Sequence, residues 1–180
     1  MKSKNGKTTV KIAGFGGQGV VLASIILGRA AILDGKFATQ VASYGSESRG
    51  GECKAEVVIS DSQIDYPLVD QVETLVVMSQ PALSKYVNDL LPGGTLIVDP
   101  DMVKKLPQRE DMTMIRVPAA KAAETIGRRI FENIVMLGAL QATTGAVSET
   151  SLFAAIKEYV PAKTVDSNLH AARQGIKMAS

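Results

Sequence analysis

The sequence has no tryptophan, a single cysteine and a single histidine, and aromatic residues make up only 4% of it. Each scarcity closes off a class of function. Cys53 has no partner for an internal disulfide and cannot hold an iron–sulfur cluster by itself, which takes several thiolates. It reads either as a reactive thiol or as a small buried hydrophobe. His170 alone supplies neither a Ser-His-Asp triad nor a histidine-rich metal site. There is no Walker lysine motif, and no Gly-Asp-Gly segment with a downstream Asn of the kind that binds thiamine diphosphate and magnesium. No catalytic residues and no metal ligands are assigned to this chain.

Charge is scarce as well. Charged residues make up 21% of the chain and the net charge is +2. No basic stripe with interleaved aromatics marks a nucleic-acid surface, so no nucleic acid is expected as a partner. Lys2, Lys4, Lys7 and Lys11 read as a solvated, frayed N-terminal tail. No secretory signal is visible, which makes a reducing, cytoplasmic location the expectation. The apolar stretch from Val20 to Gly28 stops at Arg29, short of the roughly 20 residues that cross a bilayer, and no membrane contact is expected. No charge lies between Lys11 and Arg29, nor between Glu132 and Glu149. Helices over these stretches would be apolar nearly all round. They would be either central in the fold or covered by a partner.

What is present is an α/β pattern. The 180 residues, 46% of them hydrophobic, suit one domain over residues 1–180. Strands are expected at Thr8–Ala13, Phe37–Ser43, Cys53–Ser60, Thr74–Ser79, Thr95–Asp99 and Met112–Val117. A helix is expected over Gln18–Leu33, and another starts at Pro81 and is ended by Pro92-Gly93-Gly94. After Pro118 the chain turns helical, over Ala119–Ile126, Phe131–Thr144, Ser148–Tyr159 and Val165–Met178. The expected fold is Rossmann-like: a mainly parallel sheet with helices on both faces and a helical C-terminal third packed on it.

Two segments stand out as candidate sites. Gly14-Phe15-Gly16-Gly17-Gln18-Gly19 carries G-x-G-x-x-G between a strand and a helix, where glycines allow a tight turn and the helix N-terminus offers free N–H groups to an anion. A dinucleotide site would also need an acid at the end of the second strand, and Phe37–Ser43 has none. The glycines serve a dinucleotide, or only close strand–helix packing, or the docking of a phosphate-bearing ligand or partner chain. The second segment is Ser43-Tyr44-Gly45-Ser46-Glu47-Ser48-Arg49-Gly50-Gly51. Arg49 among small residues suits bidentate contact with a carboxylate or phosphate. The plainer alternative is a solvated hairpin with a local Glu47–Arg49 pair.

Taken together, these two motifs at this separation resemble the gamma subunit of 2-oxoacid:ferredoxin oxidoreductases. Fainter similarity continues at Asp61, at Gln80-Pro81-Ala82-Leu83, along Leu91–Asp99, and from Asn133 to Leu140. Ser46 departs from the pattern, which commonly has proline there. The resemblance implies an accessory subunit, inert alone, of an enzyme that decarboxylates a 2-oxoacid and hands the acyl group to coenzyme A and electrons to ferredoxin. Overall similarity leans toward 2-oxoglutarate over pyruvate. It further implies that thiamine diphosphate, magnesium and iron–sulfur clusters sit in partner alpha and beta subunits, with a delta subunit in some assemblies, arranged as a dimer of hetero-oligomers. Gly14, Gly16, Gly17, Gln18, Gly19, Ser43, Tyr44, Gly45, Glu47, Arg49, Gly50 and Gly51 then become candidate contacts to coenzyme A or to a partner. The competing expectation is a free-standing Rossmann-type nucleotide-binding protein.

Overall fold

A computed structural model of the protein describes residues 6–44 and 51–179, with Tyr44 described by its backbone alone. The candidate residues Gly45, Glu47, Arg49 and Gly50 lie outside the described residues.

Six strands form one sheet: β1 (Lys7–Phe15), β2 (Phe37–Tyr44), β3 (Glu52–Ser60), β4 (Val72–Val77), β5 (Leu90–Val98) and β6 (Thr113–Arg116), in the order β2-β3-β1-β4-β5-β6. The pairs β1–β4, β4–β5 and β5–β6 are parallel. β3 alone runs against the others, hydrogen-bonded to β1 on one side and to β2 on the other. The sheet is therefore mainly parallel, as the alternating pattern predicts, with a hairpin at one edge. This hairpin also moves β2 away from β1. An acid at its end would lie two strand spacings, about 10 Å, from β1, instead of one.

The helices are α1 (Val20–Leu33), α2 (Gln80–Tyr86), α3 (Ala119–Ile126), α4 (Glu132–Thr144), α5 (Glu149–Tyr159) and α6 (Val165–Ala179). They cover both faces unequally. Alternation along the strands sends Val10, Ile12, Val57, Ile59, Val76 and Ile97 into a large core shared with α1, α3, α4, α5 and α6. Ala13, Leu75, Val77, Leu96 and Val98 point the other way, against Leu83 and Tyr86 of α2. Ser148 caps α5 by accepting from the Ser151 N–H, and Asp34 receives the Ser148 N–H and hydroxyl at 2.6 Å each. Burial works against the Asp34 carboxylate, but these bonds, with Ser151 and Lys36 nearby, hold it below its ordinary range.

Of the two nearly uncharged helices, α4 is central: every residue from Glu132 to Leu140 is buried. It meets α6 backbone to backbone at Gly138 and Gly175, where an added Cβ would overlap the carbonyl oxygens of Ala172 and Val135. α1 is buried along its middle but exposes Ile32 and Leu33 at its C-terminal end, next to Phe37 at the start of β2.

Three expectations change. Pro92-Gly93-Gly94 does not end a helix. α2 stops at Tyr86 and a 3-10 turn follows, while these residues lie within β5 opposite a register shift between Val72 and Thr74. An irregular strand segment tolerates proline, and Gly93 takes a φ of 78° there. Ser79 is not the end of β4 but the cap of α2, accepting from the Ala82 N–H. Lys11 is no part of a frayed tail. Its side chain is 2% exposed, with the ammonium 3.1 Å from Glu56 and 2.5 Å from Asp89 and the Tyr86 ring 5.3 Å away. Two carboxylates and an aromatic face make that burial tolerable.

Candidate functional site

The carboxyl ends of β1 and β4 define the site. α1 leaves β1 toward one face and α2 leaves β4 toward the other, so a crevice opens between them, which is where open α/β sheets bind ligands. Here the chain's own Gln18 fills that gap. Its Oε1 accepts from the Phe15 N–H at 2.6 Å, and its Nε2 donates to the Met78 carbonyl at 2.9 Å. A Cβ on Gly14 would collide with this side chain, which gives Gly14 its reason.

The rest of the turn is held from two sides. Gly16 donates its N–H to the Gly51 carbonyl at 2.8 Å, joining the glycine turn to the start of β3. Gly19 has a φ of 74°, and its carbonyl accepts from Asn133 Nδ2 at 3.1 Å; a side chain at Gly19 would overlap Asn133. Gly17 has a φ of 101° and open space around it. Gly19 caps α1 without a side-chain hydrogen bond, and no acid lies in the first helical turn. The site thus gathers Gly14, Gly16, Gly17, Gln18, Gly19 and Gly51. Ser43 stands exposed at the end of β2, opposite Lys54 of β3 and away from the turn.

Two residues that sequence reasoning did not single out sit behind the turn. Glu132 is 3% exposed, with Oε1 3.4 Å from Gln18 Nε2 and Oε2 3.7 Å from Arg129 Nε. Burial, reinforced by the nearby Asp99 carboxylate, pushes its carboxyl up to about 7, against the pull of Arg129 and Gln18. A lone acid at the head of a helix with no other charge is the signal by which the sequence could have revealed it. Asn133 Oδ1 is buried with no hydrogen-bond partner among the described residues.

Gln80 and Asp99, from two of the fainter motif echoes, brace the same edge, whereas Asp61 lies at the opposite end, its N–H donating to the Gly6 carbonyl. Gln80 accepts the N–H groups of Lys104 and Lys105 and donates to the Lys105 carbonyl. Asp99, fully buried, accepts from the N–H groups of Asp101 and Ala120. Cys53 is 6% exposed, and burial pushes its thiol up, which favours the packing role over the reactive one. His170 is exposed on α6. Among the described residues, no group of three or more His, Cys, Asp or Glu converges to hold a metal, and no helix is long and apolar enough to cross a membrane.

Comparison with known proteins adds four likenesses. The family model for pyruvate ferredoxin/flavodoxin oxidoreductase matches residues 9–178. The 2-oxoglutarate synthase subunit KorC of Methanothermobacter marburgensis is 50% identical over 173 residues, covering 92% of this chain and 93% of that protein. The crystal structure of the gamma subunit of a keto/oxoacid ferredoxin oxidoreductase from Geobacter sulfurreducens superposes with a TM-score of 0.86 at 40% identity, covering 96% of this chain and 98% of that one. The 2-oxoglutarate:ferredoxin oxidoreductase of Magnetococcus marinus shares the fold, with a TM-score of 0.90 at 20% identity, over 98% of this chain but 31% of its own.

Proposed function

Because the chain belongs to the pyruvate ferredoxin/flavodoxin oxidoreductase family, we propose that it is the gamma subunit of a 2-oxoglutarate:ferredoxin oxidoreductase. The observation that carries the reading is 50% identity with a 2-oxoglutarate synthase subunit over 92% of this chain. In this reading the assembled enzyme decarboxylates 2-oxoglutarate, forms succinyl-CoA and passes electrons to ferredoxin. Partner alpha and beta subunits, with a delta subunit where the assembly has one, hold thiamine diphosphate, magnesium and the iron–sulfur clusters. The single cysteine of this chain agrees with that division.

The role proposed for this chain is to shape the coenzyme A side of the active site or a subunit contact beside it. Gly14, Gly16, Gly17, Gln18, Gly19 and Gly51, with Ser43, Tyr44, Gly45, Glu47, Arg49 and Gly50 of the neighbouring loop, are the proposed contacts. The free-standing nucleotide-binding reading has less support. Gln18 fills the crevice, Asp99 puts negative charge behind it, and β2 neither adjoins β1 nor ends in an acid.

The test is an omission assay. The chain alone, with 2-oxoglutarate, coenzyme A and a viologen, should show no turnover. Partner subunits should give full turnover only when this chain is added. Turnover by the isolated chain, or by partners without it, contradicts the proposal.

A further inference from the structure

β2 closes one edge of the sheet, so the outward N–H and C=O groups of its backbone have no strand beside them. Sheets commonly blunt such an edge with a lysine, a proline or a bulge, because an open one pairs with other chains. β2 has none of these. Phe37–Tyr44 carries no charge and no proline, and it pairs with β3 without a register shift. The charges nearby are already engaged. Lys36 donates to the Ala146 carbonyl at 2.7 Å, Arg29 pairs with Glu158 at 2.8 Å, and Lys54 and Glu56 of β3 pair with each other at 2.9 Å. We propose that β2 docks a second copy of this chain, pairing antiparallel with β2 of that copy about a two-fold axis at Thr39.

The register follows from the side chains. Ala38 and Ala42 pack on the α1 side, and Gln40 donates to the Ser24 hydroxyl of α1 at 3.0 Å. Phe37, Thr39 and Val41 therefore point to the other face. Phe37 is 49% exposed, and Thr39 and Val41 are half-buried. An axis at Thr39 sets Phe37 of each copy opposite Val41 of the other, and Thr39 opposite its twin. Aromatic–β-branched and Thr–Thr pairs both favour antiparallel strands. Thr39 Oγ1 is buried with no hydrogen-bond partner among the described residues, and a hydroxyl across the axis would satisfy it. Charge decides the occupant. A two-fold axis brings each group near it against its own copy, so a charge there would repel itself, and this edge has none. Eight residues make a strand about 27 Å long. With Ile32 and Leu33 exposed beside its start, each copy offers on the order of 500 Å², which suits a weak, reversible dimer.

The inference stands on this edge alone and is independent of the subunit reading. It is tested on the full chain, with wild type as the control, since Cys53 is buried. Thr39→Cys sets two thiols across the axis with Cα atoms about 4.5–5.5 Å apart, within disulfide reach. Mild oxidation should link most of that variant into dimers and leave wild type unlinked. Phe37→Cys and Val41→Cys should link poorly alone and well when mixed, which reads the register. Phe37→Lys, an exposed change, should weaken dimerisation about tenfold or more in sedimentation equilibrium. A monomer at every concentration overturns the proposal, as does a dimer that Phe37→Lys leaves unchanged, or a folded Thr39→Cys that does not link. Should Thr39→Cys not fold, Phe37→Lys decides alone. If the chain is monomeric and Phe37→Lys instead blocks assembly with partner subunits, the edge belongs to a partner and the proposal falls.

Discussion

Glu132 sets a stability signature. Its carboxyl ionises near 4.5 in the unfolded chain and near 7 in the fold, so the folded state holds the proton more tightly. That contribution is fully present below about pH 4.5 and is lost as pH rises toward 7, with no further change above. At about 1.4 kcal/mol per unit, the total is on the order of a few kcal/mol. Glu132→Gln lacks this loss, so denaturant titrations of the two proteins should separate between pH 4.5 and 7; parallel stability profiles would contradict the burial-driven shift. Arg49 makes a second prediction at this scale, within the assembled enzyme. Arg49→Ala should weaken the coenzyme A dependence or subunit docking about tenfold, with lysine rescuing only in part, because a point charge cannot reproduce bidentate geometry. Kinetics over a coenzyme A series and gel filtration of the complex decide it; no change in either identifies a solvated loop.

At the scale of elements, α4 and α6 show what the glycines are for. Gly175→Ala drives a methyl into the Val135 carbonyl and should cost about 3 kcal/mol. Gly28→Ala in the interior of α1 meets only the Ala38 methyl, at 4.0 Å, and should stabilise by about 1 kcal/mol. Opposite shifts in thermal midpoint test the pair, and equal ones contradict the packing. These elements also show how far the sequence could be read. Helices such as Ala119–Ile126 and the cap at Ser148 follow from local chemistry and are found where local chemistry puts them. The reversal of β3, the buried Lys11 and the strand through Pro92 do not, because each depends on a neighbour distant in the chain: β1, Glu56 and Asp89, and β4. The glycine turn was legible as a turn. Its filling by Gln18 was not, since Met78 and Glu132 lie 60 and 114 residues away.

The whole molecule is a sheet whose carboxyl edge is braced by its own polar side chains: Gln18, Gln80, Asp99, Glu132 and Asn133 each tie a loop or turn to a neighbouring element. Such an edge is a fixed surface, suited to meeting another chain. Ile32, Leu33 and Phe37 leave further apolar surface at the opposite end of β2. The isolated chain should accordingly self-associate at high concentration, and a strictly monomeric species in light scattering would count against this. Membership of a thiamine-dependent oxidoreductase complex is tested by capturing the tagged chain from the cells that make it and assaying the captured material. Co-purifying subunits that carry thiamine diphosphate and iron–sulfur clusters and reduce viologen with 2-oxoglutarate and coenzyme A are expected. A chain recovered alone, without thiamine diphosphate and without that activity, would contradict it.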